Sequence, residues 1–138
     1  LVLNASVELY KGGVVPLAEY AQRPYDRDIL VRVLVPKENA RVVYQSVRNS
    51  QTDFPVLTCA AAKLADGSIR TAIGARPGKA VLYPAAPEAG ETAEEFAARF
   101  AAEVKAGIKT ESNLRGGAEY RRHLAGVLTK RAVCRLEG

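Results

Sequence analysis

Through the first half of the chain, apolar and polar positions alternate in short runs. The opening LVLNASVELYKGGVVPLAEY reads as two extended segments around Lys11, Gly12 and Gly13, where glycine supplies the positive φ of a tight turn. AQRPYDRD follows as a polar, proline-containing connector, which sets a boundary near Asp26 to Asp28. DILVRVLVP then puts Ile29, Val31, Val33 and Val35 on one face and Leu30, Arg32 and Leu34 on the other, and Pro36 stops it. ARVVYQSV alternates again. PVLTCAAAKL and SIRTAIGA flank Ala65, Asp66 and Gly67, and Asp-Gly between two β-prone runs predicts a hairpin. The middle of the chain is expected to be one antiparallel sheet that includes the 28–36 run.

After Tyr83 the period changes from two to 3.6. PAAPEAG reads as a linker, and Thr92 with Glu95 three residues later has the spacing of a capping box. Phe96, Phe100, Val104 and Ile108 fall on one stripe, the mark of a helix that faces a core, with Gly107 near its end. A last helix starts near Ala118, with Tyr120, Leu124, Val127 and Leu128 expected on its apolar face. Glu119 in its first turn and Lys130, Arg131 and Arg135 near its last suit the helix dipole. Strands followed by helices predict an α+β fold, an antiparallel β-sheet packed against C-terminal helices, rather than a parallel βαβ fold.

Composition adds little. With 138 residues, 48% of them hydrophobic, the chain can bury a core. Its charge of +5 bears on association more than on fold. Cys59 and Cys134 are far apart and in no CxxC pair, which excludes a disulfide framework and a zinc ribbon. No run of about 18 apolar residues predicts a membrane span. The chain begins with Leu1 and has no methionine, so it is read as a processed product or fragment whose targeting signal would lie upstream.

The motifs that carry chemistry fare poorly. GARPGK, Gly74 to Lys79, has three residues between its glycines and Ala80 where a Walker loop has Ser or Thr, so it reads as a turn leaving a strand. His123, the only histidine, stands in YRRHL with no serine or cysteine at a telling distance and reads as a helix-surface or interface residue. Glu94 and Glu95 are adjacent on a helix and splay apart. Basic residues are spread over several elements without stacking aromatics, which argues against nucleic acid.

One stretch is more specific. SNLRGGAEYRRHLAGVLTKRAV, Ser112 to Val133, resembles the end of the FAD-binding subunits of molybdenum hydroxylases, the xanthine dehydrogenase and carbon monoxide dehydrogenase family. VPLAEY at 15–20 is similar to that family's segment leading out of its flavin domain, and DILVRVLVP to its next strand. RNSQTDFPVLTCAAAKLADG, Arg48 to Gly67, resembles its Arg-x-x-x-x-Asp segment, strand and turn. The resemblance implies residues 1–27 as the tail of a truncated FAD-binding domain plus connector, and residues 28–138 as the C-terminal domain of the flavoprotein subunit.

The resemblance implies a cofactor, FAD, whose main phosphate-binding loops would lie upstream of Leu1. It implies partners too: a molybdopterin-binding large subunit, an iron–sulfur small subunit and an optional second copy of the chain, in the cytoplasm, with neither nucleic acid nor membrane. Leu30, six positions before Pro36, matches a leucine that packs near the isoalloxazine in relatives. Gln45, after Tyr44, stands where the xanthine dehydrogenase branch has a lysine near the flavin's polar edge, and Asp53 matches an acidic position close by. Gly116 and Gly117 are expected to let the backbone turn into the last helix. Its arginines, Arg121 and Arg122, are expected to dock on acidic groups of the sheet or on a neighbouring subunit. The fragment alone is expected to be inactive; the competing reading is a noncatalytic dimerisation or scaffolding domain.

Overall fold

The structure, a computed structural model, describes residues 1–25, 27–37 and 39–137; Asp26, at the expected boundary, lies outside the described residues, as do Glu38 and Gly138. Among the described residues, seven strands form two antiparallel sheets. β1 (Ser6–Leu9), β2 (Gly13–Pro16) and β3 (Leu30–Leu34) make a small sheet in the order β2-β1-β3. β4 (Arg41–Val47), β5 (Leu57–Lys63), β6 (Ile69–Gly74) and β7 (Val81–Ala85) make a meander in chain order. The helices are α1 (Leu17–Tyr20), a single turn, α2 (Ala93–Gly107) and α3 (Ala118–Glu137).

The four-stranded sheet carries the main core. On its inner face Leu57, Cys59 and Ala61 of β5 and Ile69 and Ile73 of β6 are fully buried beneath Phe96, Ala97, Phe100 and Val104 of α2 and Leu128, Ala132, Val133 and Leu136 of α3. Phe96 and Phe100 stack with ring centroids 5.8 Å apart. α3 runs along β5: Arg121 reaches Val56 at one end, and Lys63 Nζ meets Glu137 Oε2 at 2.6 Å at the other. The α+β architecture expected from the pattern is what forms.

Local signals were accurate. Thr92 and Glu95 complete the capping box. Gly67 takes φ +82° in the β5–β6 hairpin, and Asp66 Oδ1 accepts from the Ser68 N–H and hydroxyl. GARPGK is the β6–β7 turn, with Ala75 at φ +58° and Gly78 at φ +111°.

Three expectations need correction. DILVRVLVP does not join the middle sheet: β3 pairs with β1, Val33 opposite Val7, with a bulge at Glu8/Leu9. A purely local alternation cannot tell which strand is the neighbour. PAAPEAG does not begin as a linker, because β7 continues through Pro84 and Ala85, and an edge strand tolerates the proline that faces Arg70 across β6. Finally, the buried stripe of α3 is Arg121, Leu124, Ala125, Leu128, Thr129, Ala132, Val133 and Leu136, leaving Tyr120 half exposed.

Candidate functional site

The SNLRGG segment is built around one buried cation. Asn113 and Gly116 exchange backbone hydrogen bonds at 3.1 Å, closing a narrow turn whose tip, Leu114, is fully exposed. Ser112 Oγ accepts from the Ala118 N–H at 2.9 Å and so caps the entry to α3. Arg121, one turn into the helix and 1% exposed, points back under this segment. Its Nε donates to the Val56 carbonyl at 2.9 Å, Nη1 to the Glu111 and Gly116 carbonyls, and Nη2 to Asn113 Oδ1 at 2.5 Å. A guanidinium has five N–H donors in a fixed fork, and here they join β5, the turn and α3. Burial, with Arg115 nearby, lowers its pKa, yet guanidinium titrates so high that it stays charged.

This overturns the expectation that Arg121 docks on acidic groups or a second subunit: its partners are carbonyls and an amide of its own chain. Arg122 does face outward. The glycine expectation also changes. Neither Gly116 nor Gly117 has a positive φ; at Gly116 a Cβ would lie 3.0 Å from Val56 Cγ1, a close approach that a larger residue would have to push aside, while nothing crowds Gly117.

Beside the turn, the β4–β5 connection forms a polar shelf. Arg115 Nε meets Asp53 Oδ1 at 3.0 Å and its guanidinium lies 5.1 Å from the Phe54 ring centroid, an exposed cation–π contact. Arg48 Nη1 donates to the Asp53 carbonyl at 2.6 Å, and the Phe54 N–H donates to Asp53 Oδ1 at 2.7 Å. The Arg115 hydrogen bond and the Phe54 N–H hold the Asp53 carboxyl below its usual range, so it is an anion at neutral pH. Asp53 therefore does cap the turn before Phe54.

The two residues singled out for a cofactor lie in different sheets. Leu30 is on β3, 44% exposed, paired with Leu9. Gln45 is on β4 opposite Cys59, on the inner face with Val43 and Val47. Its Nε2 is enclosed without a hydrogen-bond partner. Tyr44 points the other way, 60% exposed, in a row with Ala60, Ala72 and Leu82 across the sheet. Burial pushes the Cys59 thiol up to about 12, against a weaker opposing hydrogen bond with Thr129, so it is inert at neutral pH.

A hollow of about 390 Å³ opens where the small sheet meets the β6–β7 turn, lined by Leu17, Tyr20, Tyr25, Asp28 and Lys79. Lys79 Nζ donates to the Arg23 carbonyl across it. Asp28 accepts from the backbone N–H groups of Lys11, Gly12 and Ile29, which closes the β1–β2 turn. Among the described residues no group of histidine, cysteine and carboxylates is placed to hold a metal, and no helix is long and apolar enough to cross a membrane.

A meander with two helices on one face, beside a small sheet whose edge strand is exposed, is also the fold of chains in several solved structures. Quinoline 2-oxidoreductase from Pseudomonas putida 86 superposes with a TM-score of 0.75 at 20% identity, covering 98% of this chain and 53% of that one. Carbon monoxide dehydrogenase from Hydrogenophaga pseudoflava gives 0.75 at 22%, covering 99% and 53%. Reconstituted CO dehydrogenase from Oligotropha carboxidovorans gives 0.74 at 21%, covering 99% and 54%. This chain thus spans about half the length of those chains. No curated protein sequence matches it. The sequence pattern of the CO dehydrogenase flavoprotein C-terminal domain matches residues 42–136, and the chain belongs to that family. The match covers the meander and both long helices and begins after β3.

Proposed function

We propose that the chain is part of the FAD-binding subunit of a molybdopterin-dependent hydroxylase or dehydrogenase, acting beside a molybdopterin-binding large subunit and an iron–sulfur small subunit in the cytoplasm. The match over residues 42–136 carries this reading. In such an assembly FAD would take electrons from the iron–sulfur subunit and release them to an acceptor. The domain division into residues 1–27 and 28–138 belongs to the same proposal, although β3 is hydrogen-bonded to the strands of the first part.

Two exposed residues suit the flat ring end of the cofactor. Leu30 and Tyr44 offer exposed apolar surface of the kind that excludes water from a flat ring. Gln45 has its amide nitrogen enclosed on the inner face, so as it stands it does not donate toward the side that presents Tyr44. The pyrophosphate end finds no counterpart among the described residues: the N–H groups of the Lys11–Gly12 turn are already taken by the Asp28 carboxylate, which would repel a phosphate.

The test is an absorption spectrum of the longer parent subunit purified with whatever copurifies, followed by FAD titration of that subunit as wild type and as Leu30→Ala. Flavin bands, and weaker FAD retention in the variant, are expected. A colourless protein that takes up no FAD would overturn the flavin reading; unaltered affinity in Leu30→Ala would remove that residue alone.

A further inference from the structure

The outer seam between α2 and α3 is a second feature, on the side of the helices away from the sheet. At the crossing Gly126 has no side chain, and a Cβ there would lie 3.3 Å from Lys105 Cβ and 3.4 Å from the Ala101 carbonyl oxygen. The helices therefore approach closely and leave a shallow floor of Ala101, Ala102, Gly126 and Val127. Two hollows, of about 450 and 220 Å³, share Lys105 and His123 and run together along the seam.

Its walls are cationic. Lys105, Arg122, His123 and Lys130 line it, all exposed, against one carboxylate, Glu119, at one end. Among the described residues none of Lys105, Arg122 and Lys130 is in an ion pair, whereas Arg23, Arg32, Lys63, Arg99 and Arg115 all are. Three fixed charges of one sign, with Arg122 and Lys130 about 12 Å apart along α3 and Lys105 beside them on α2, set up a potential suited to an elongated anion.

The geometry points to this groove as the docking site for an acidic segment of a partner polypeptide. A small anion would need the cations to converge on one point, and they are spread along the seam. A nucleic-acid backbone would meet Glu119 at one end and an alanine–valine floor that offers phosphates nothing. A peptide that alternates carboxylates with aliphatic side chains matches both the walls and the floor. The inference rests on the helix surface and is independent of the flavin reading.

The probe is a fluorescein-labelled peptide of glutamate and leucine of about twelve residues, long enough to span the groove as a helix. Its anisotropy is followed against the wild-type chain and Lys105→Glu/Lys130→Glu. Both positions are exposed, so an unchanged unfolding midpoint is the folding control. Saturable binding that weakens about tenfold or more in the variant, and also fades with added salt, is expected. No binding, or equal binding by the variant, would overturn the proposal. So would tighter binding of a single-stranded oligonucleotide of equal charge, or displacement of the peptide by inorganic phosphate at matched concentration.

Discussion

β5 and β3 are both short, apolar strands, and they end in opposite environments. In β5, Leu57, Cys59 and Ala61 are fully buried. In β3 every residue is exposed, with Val31 and Val33 each at 52%. What separates them is what lies on the face. β5 sits mid-sheet with α3 laid along it, while β3 is the edge of a small sheet whose own core is Val7, Leu9 and Val15 with Leu17 and Tyr20. Apolar alternation reports that a strand is suited to burial; it does not supply the element that buries it. β3 keeps Val31 and Val33 exposed, and whether another surface covers them is what a substitution there tests.

The comparison predicts a gradient of mutational effects. Phe100→Ala removes a ring that is 1% exposed and stacked on Phe96, over the buried inner face of the sheet. A loss of about 3–5 kcal/mol is expected in urea unfolding, enough to leave a domain of this size barely folded. A loss under about 1 kcal/mol would mean the helix layer is looser than its packing indicates.

Arg121→Met keeps the aliphatic stem and removes the fork. The carbonyls of Val56, Glu111 and Gly116 and Asn113 Oδ1 then lose their donor. An unsatisfied buried acceptor costs about 1–3 kcal/mol, and Glu111 and Asn113 are exposed residues whose acceptors solvent can reach, so about 3 kcal/mol overall is expected. Hydrogen exchange adds a specific readout: faster exchange at Gly116 and Arg121 before the rest of α3. Exchange that rises uniformly through the helix would show that the fork is not tied to the turn in particular.

These two residues also show where a sequence stops being informative. Phe100 was legible, because the stripe Phe96, Phe100, Val104, Ile108 is a local period that any helix must obey. Thr92 with Glu95 and Asp66 with Gly67 were legible for the same reason. Arg121 was not: its partners are 65, 10, 5 and 8 positions away, and charge alone suggests the outside. Its one sequence signal is that it stands three residues before Leu124 and seven before Leu128, on the stripe they share, where a polar residue must have somewhere to donate. β3 failed similarly, since register and neighbour are long-range facts. Of the cofactor positions, the sequence placed Leu30 and Gln45 on strands, but the face Gln45 takes is visible only from its partner Cys59.

A pH experiment tests whether the helix entrance behaves like the core or the surface. Arg99 binds Glu91 through Nε and Nη2 at 2.8 and 2.9 Å, and the Glu88 N–H donates to Glu91 as well. The Arg99 hydrogen bond first, then the Glu88 N–H, depresses the Glu91 carboxyl from its usual 4.5 to about 2. A depressed carboxyl contributes stability that is complete above its unfolded value and lost as pH falls through the folded one. The difference in urea midpoint between wild type and Glu91→Gln should thus be constant above about pH 4.5 and close as pH falls toward 2. A gap that persists at pH 2 would assign the difference to packing instead.

The smallest expected effect decides the comparison. Val31→Thr keeps the branched shape that suits a strand and exchanges a methyl for a hydroxyl on a residue that is 52% exposed. In this chain alone its unfolding free energy should move by no more than about 0.5 kcal/mol, as for any exposed position. Bound to a surface that covers β3, the same hydroxyl would be buried without a partner, and the complex would weaken by about 1–3 kcal/mol. The pair of measurements separates two explanations of the same apolar strand. A null effect in both states makes Val31, Val33 and Val35 residues chosen for extended backbone geometry. A null effect alone with a cost in the assembly makes β3 one half of an interface, whose other half supplies the burial that α3 gives β5 within the chain.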